Sequence, residues 1–235
     1  MRRILIVALL HTIVMSAIAA VPTFQPDHTA LDGILTRLDG DCRAGSFDFD
    51  GYQGWYGDFW GPDDAYAALI SPGDGSCLCT EGVVVQDVHI IMYVNIATVF
   101  VVQAELWSAT DVGGCQVPLA PLAVSLPVQY SDFPGTGNAN LEIPFDSPCL
   151  APGDDYFVVV RFLHGTTGLF IGVPVDSSPA PCTTWVNRTG LAGWHDVVGE
   201  YGWLGNFYVY ADLNCCSDPV AAEGRTWGEM KALYR

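Results

Sequence analysis

The chain has 235 residues, half of them apolar and 15% charged. That excludes a wholly disordered polypeptide and suffices for one large domain or two small ones. Its 26 Asp and Glu face only 9 Lys and Arg, a net charge of -17, so it lacks the basic stripe that nucleic-acid binding needs and is repelled by anionic membrane surfaces.

The chain opens with Arg2 and Arg3, an apolar run from Ile4 to Val14 interrupted only by His11 and Thr12, and then Ala17-Ile18-Ala19. A charged start, an apolar middle and an A-x-A site form the pattern of a secretory signal peptide, here residues 1–19. The run is shorter than the ~20 residues that span a bilayer, and no later stretch reaches that length without charges, Gly or Pro. Residues 20–41 form an N-terminal arm, in which Leu31, Ile34, Leu35 and Leu38 have the spacing of a short helix or precede the first strand as an extended arm.

Residues 47–64 are the densest cluster of aromatic and acidic side chains. Asp48, Asp50, Asp58, Asp63 and Asp64 can supply hard oxygens to calcium, which takes six to eight such ligands, although their order is not that of an EF-hand loop. Tyr52, Trp55, Tyr56 and Trp60 offer flat faces for sugar rings. A third reading has the aromatics packing the edge of a sandwich while the acids are solvated. Trp185, Trp194 and Trp203 are expected to pack in a core rather than form a platform.

Period-2 alternation dominates the rest. Val88, Ile90, Met92 and Val94 share one face of a strand and His89 and Tyr93 the other. Phe100, Val102, Ala104 and Leu106 oppose Gln103, Glu105 and Trp107 in the same way, and the pattern returns over 155–163, 169–175 and 206–213. Gly/Pro/Asp turns such as Ser71-Pro72-Gly73-Asp74-Gly75 and Ala151-Pro152-Gly153-Asp154 separate these runs. About nine to eleven strands are expected between Cys42 and Cys216. They should form one all-β domain over 42–216, an antiparallel sandwich of the jelly-roll kind with short helices only at the termini.

Eight cysteines follow the leader: Cys42, Cys77, Cys79, Cys115, Cys149, Cys182, Cys215 and Cys216. An even number behind an export signal predicts up to four disulfides, with 105 pairings open. Residues 217–235 are a polar spacer and an amphipathic tail. Thr226 and Glu229 have capping-box spacing, while Trp227, Met230, Leu233 and Tyr234 fall on one helical face. So short a helix must dock on this protein or on another.

The Gly/aromatic opening at Tyr52–Gly57, the strand pair at 84–107, the Trp-bearing pair around Trp185 and Trp194, and the last strand at 206–212 come in a recognisable order. Followed by the tail Thr226–Arg235, that order resembles the jelly-roll-like sandwich domains of secreted bacterial proteins that end in a short C-terminal sorting or anchoring segment. The resemblance implies an extracellular, non-catalytic role, with the tail serving secretion or anchoring machinery. The high cysteine count departs from that pattern.

His28, His89, His164 and His195 lie outside the leader, and none belongs to a zincin helix; no nucleophile elbow or phosphate loop is present. Carboxylate pairs such as Asp154 and Asp155 would need a cleft to act as a glycosidase. The expected protein is therefore a secreted, disulfide-stapled, non-catalytic module at the cell exterior. It is carbohydrate-binding-like or adhesive, with calcium as the one candidate cofactor and a glycan or cell-surface protein as partner. The alternative is a self-assembling or tail-anchored structural subunit; an unrecognised hydrolase is the third reading.

Overall fold

The computed structural model describes residues 18–19, 23–25, 42–45, 55–58, 63–72, 79, 81–94, 98–165, 171–176 and 178–216. Fifteen strands follow one another: β1 Ile18–Ala19, β2 Thr23–Gln25, β3 Cys42–Gly45, β4 Trp55–Asp58, β5 Ala65–Ile70, β6 Val83–Val94, β7 Phe100–Val112, β8 Cys115–Val124, β9 Val128–Tyr130, β10 Gly137–Pro144, β11 Tyr156–Gly165, β12 Ile171–Pro174, β13 Thr184–Asn187, β14 His195–Asp196 and β15 Val209–Cys215. Thirteen of them lie within 42–216, more than the nine to eleven expected there, because six of those are four residues or shorter, too short to show a period. No helix occurs among the described residues; the helices expected at the two termini lie outside them. β1 and β2 fall in the leader and the arm, and add to the edges of the two sheets.

The strands form an eight-stranded and a seven-stranded sheet, and every pair is antiparallel except β1 with β9. Two long strands organise them. In the larger sheet, β7 pairs with β11 on one side and with β8 and then β9 on the other. In the smaller sheet, β6 pairs with β10 on one side and with β15 and β12 on the other. The chain alternates between layers, with β5, β7, β11 and β13 in the larger sheet and β6, β10, β12 and β15 in the smaller. This is a jelly-roll-like sandwich.

The core lies between the sheets, on the faces that the alternation predicts. Phe100, Val102, Ala104 and Leu106 meet Val88, Ile90, Met92 and Val94 in one buried cluster with Leu141, Val158, Val160 and Val209. Burying each large aliphatic or aromatic side chain contributes about 1.5–3 kcal/mol. Tyr66 packs edge-on against Phe162 and Phe207, closing the core beneath β5.

Disulfides link the sheets' ends. Cys79 bonds Cys215, Cys149 bonds Cys216, and Cys115 bonds Cys182; Cys42 is also disulfide-bonded. Neighbouring side chains at the end of a strand point to opposite sides, which is why adjacent Cys215 and Cys216 take different partners. Beside Cys149, Gly82 has φ 118° and a Cβ there would lie 2.2 Å from the Leu150 carbonyl oxygen, so only glycine fits. Closure of loops of 67 and 136 residues stabilises by roughly 4–5 kcal/mol per bridge in the chain-entropy picture.

Candidate binding face

The outward face of each sheet carries a partly buried Arg–carboxylate pair. On the larger sheet, Val159 of β11 stands opposite both Glu105 and Ala67, and Arg161 opposite Gln103 and Ala65. Period 2 therefore brings Gln103, Glu105, Trp107 and Arg161 onto one surface. Glu105 is 4% exposed and saturated with donors. Arg161 donates twice, through Nε at 2.5 Å and Nη2 at 3.1 Å, while Gln103 Nε2 donates at 3.0 Å and Trp107 Nε1 at 2.7 Å. Burial opposes ionisation of Glu105, but these donors outweigh it and hold the carboxyl below its ordinary pKa.

Alanines at 65 and 67 leave room above β5, and a second small apolar cluster forms there from Ala65, Ala67, Phe157, Val159 and Trp185. Trp107 and Trp194 pack against it while remaining partly exposed. Their rings meet edge to face at 5.4 Å. Asp64, 2% exposed, accepts from the Thr189 amide at 2.6 Å and ties down the chain that leads to Trp194. Asp196 accepts from the Cys182 amide at 2.8 Å and the Val198 amide at 3.0 Å, fixing the far end of the same segment. The Cys115–Cys182 bridge joins the β7–β8 hairpin to it. Beyond Trp107 lies a groove of about 540 Å³ lined by Ser108, Ala109, Thr110, Asp111, Gln116 and Asp154, among others. Two irregularities in the β7–β8 ladder flank Trp107.

On the smaller sheet's outward face, the described polar side chains bond mainly to one another. His89, 4% exposed, stacks on Tyr210 at 4.5 Å with the rings 4° from parallel. Its Nε2 lies 3.1 Å from Asp212, and Asn140 Nδ2 sits 3.4 Å from Nδ1 and donates to the Tyr210 hydroxyl at 3.0 Å. This network assigns the Nε2–H tautomer. Arg43 pairs with Asp212 and lies over the Tyr210 ring. Burial opposes the Asp212 charge, yet hydrogen bonds from His89 and Arg43 lower its pKa. Asp87 moves the other way, raised by burial and then by Glu142.

The residues expected to form a site are distributed differently. Tyr52, Trp60, Asp48 and Asp50 lie outside the described residues, as do Cys77 and the tail residues Trp227, Met230, Leu233 and Tyr234. Trp55, Tyr56 and Asp58 are in β4, which pairs with β12 in the smaller sheet. Asp63 and Asp64 lead into β5 of the larger one. Asp63 is exposed with φ 72°, whereas Asp64 spends one carboxylate oxygen on Thr189. Among the described residues, Cys115, Cys182 and Asp196 form a group with metal-ligand spacing, but the two sulfurs are bonded to each other and are not free to ligate. Trp185 is 6% exposed and donates to the Cys182 carbonyl, and Trp203 packs against Phe207, so both are packing residues as expected. Trp194, expected to pack in the core, packs against the outer apolar cluster and remains partly exposed beside Trp107. The strand alternation already put Gln103, Glu105 and Trp107 on one side, but not Arg161 beside them, because that contact joins residues 56 positions apart.

Fold and surface together define a disulfide-linked antiparallel sandwich, and among the described residues its larger sheet carries a partly exposed aromatic–polar cluster on the outward face. No family model matches the chain, and no curated protein matches it. Among solved structures, it is similar to the cysteine protease and lectin-like domains of Cwp84, a surface layer associated protein of Clostridium difficile, at 12% identity and TM-score 0.44 over 76% of this chain and 37% of that one. It is also similar to the clostridial cysteine protease Cwp84 after propeptide cleavage, at 14% identity and TM-score 0.47 over 76% of this chain and 41% of that one. The chain thus spans about two fifths of the length of the solved chains it resembles.

Proposed function

We propose that the protein is an extracellular, non-catalytic binding module that takes a carbohydrate on the outward face of its larger sheet. The observation that carries this is the partly exposed Trp107–Trp194 pair beside the Glu105–Arg161–Gln103 network. Aromatic faces stack on the apolar side of a sugar ring, and fixed polar groups at the rim read its hydroxyls. The leader-like sequence and the disulfides support an oxidising, exported setting.

The test is a polysaccharide retention panel on the secreted protein, with calcium and with chelator. Selective retention on one glycan is expected, lost by about 2 kcal/mol, or roughly thirtyfold in Kd, in Trp107→Ala and in Trp194→Ala. Glu142→Gln, on the opposite sheet, should bind as the wild type does. If no glycan is retained, or if both tryptophan variants bind normally, the reading fails. Chelator sensitivity would place a metal near the acids at 48–64.

A further inference from the structure

Strand β8 leaves its ladder twice. Leu106 faces Ala123 and Trp107 faces Pro121, so Leu122 has no residue opposite it; Ser108 faces Ala120 and Ala109 faces Pro118, so Leu119 has none either. Each bulge turns one leucine outward, and Leu119 and Leu122 are 61% and 48% exposed. The local sequence is a tandem repeat, Pro118-Leu119-Ala120 and Pro121-Leu122-Ala123, and a proline, which has no amide hydrogen, stands where each bulge begins. Val112, Val124 and Leu126 extend the exposed strip. No residue from Val112 to Ser131 is charged, in a chain of net charge -17. Among the described residues, β7 is the one strand that pairs with β8.

We propose that this bulged edge docks a second copy of the same chain through Val112, Leu119, Leu122, Val124 and Leu126. Charge selects the occupant. A basic partner gains most on the acid-rich remainder of the surface and nothing on an uncharged strip. A second acidic copy is repelled elsewhere and can approach closely where both surfaces lack carboxylates. The area agrees with a weak dimer: the five side chains expose on the order of 500 Å² of apolar surface, as large as the largest patch on a typical monomer. Two copies facing each other remove about 1,000 Å², the lower end for specific association. Prolines at 118 and 121 oppose strand addition along the whole edge, so the contact is made by leucine side chains across a two-fold axis.

Sedimentation velocity on the full chain, from micromolar to near-millimolar concentration at low and high salt, tests this. The mass should rise with concentration from one chain towards two, and more readily at high salt, which screens the repulsion between the acidic bodies. Leu119→Asp/Leu122→Asp should stay monomeric, with dimerisation weakened at least tenfold, while Leu191→Asp, exposed but outside the strip, should associate as the wild type does. Should the double variant be poorly secreted, Leu126→Asp alone reads the same surface. A wild type that is monomeric throughout overturns the proposal, and so does a dimer indifferent to these substitutions. Val124 stands opposite Glu105 in the ladder, so the strip borders the proposed glycan face; glycan retention is therefore scored at concentrations where the wild type is monomeric, and either result then leaves the other standing.

Discussion

The two outward faces of the sandwich use one device in two settings. Arg161 and Glu105 on the larger sheet, like Arg43 and Asp212 on the smaller, pair a cation with a carboxylate across neighbouring strands. Around Asp212 the space is filled by a stacked His89–Tyr210 pair and by Asn140, so the network is turned in on itself. Around Glu105 the flanking Trp107 and Trp194 remain partly exposed, and a separate groove lined by Ser108, Asp111 and Asp154 lies further along β7. A buried ion pair by itself therefore says little about function. What separates an internal brace from a binding surface is whether its neighbours leave room for another molecule.

Removing one partner of each pair should separate the faces most strongly. The Glu105 side chain is 5% exposed and that of Asp212 23%, so Arg161→Met strands a more deeply buried charge than Arg43→Met. A loss of about 3 kcal/mol is expected for Arg161→Met and about 1–2 for Arg43→Met, where His89 still holds Asp212. Urea denaturation measures both, and equal losses would contradict the difference in burial.

Acid titration sharpens the comparison. Glu105 and Asp212 both have lowered pKa values in the folded state. Their contribution is fully present above the ordinary carboxylate value near 4 and is lost as pH falls through the lower folded values. Arg161→Met should flatten the pH dependence of stability below about pH 4, because Glu105 then loses the main donor that lowers its pKa. A variant whose acid unfolding keeps the wild-type slope would argue against this.

The smallest effect is expected from Asp87→Asn. Burial and the nearby Glu142 raise this carboxyl, so its charge at neutral pH costs stability that protonation at lower pH relieves. The neutral amide should raise Tm by a degree or two at pH 7 and make no difference at pH 3. A lower Tm at pH 7 would show that the charge is needed.

Much of the architecture was legible in the residues. Alternation over 88–94 and 99–107 assigned the correct faces, because a strand with one side on a core repeats every two residues. The Trp-bearing pair around Trp185 and Trp194 appears as β13 and β14. β8 was not singled out, since Pro118, Pro121 and Pro127 and its two bulges break the period-2 alternation. The cluster at 47–64 drew attention through composition alone. The open face was less conspicuous because its members come from β7, β11 and the segment before β14, each contributing one or two residues.

The amino-acid sequence by itself determined the all-β class, the inward and outward sides of the long strands, the disulfide-linked character and the acidic surface. These follow from local periodicity and composition, which need no knowledge of which strand lies beside which. Only the tertiary structure decided that Cys215 and Cys216 part to Cys79 and Cys149, that Arg161 meets Glu105, that Trp194 meets Trp107, and that Leu119 and Leu122 turn outward. Those outcomes depend on strand order and register, and register is set by how the two sheets fill one core rather than by any single segment.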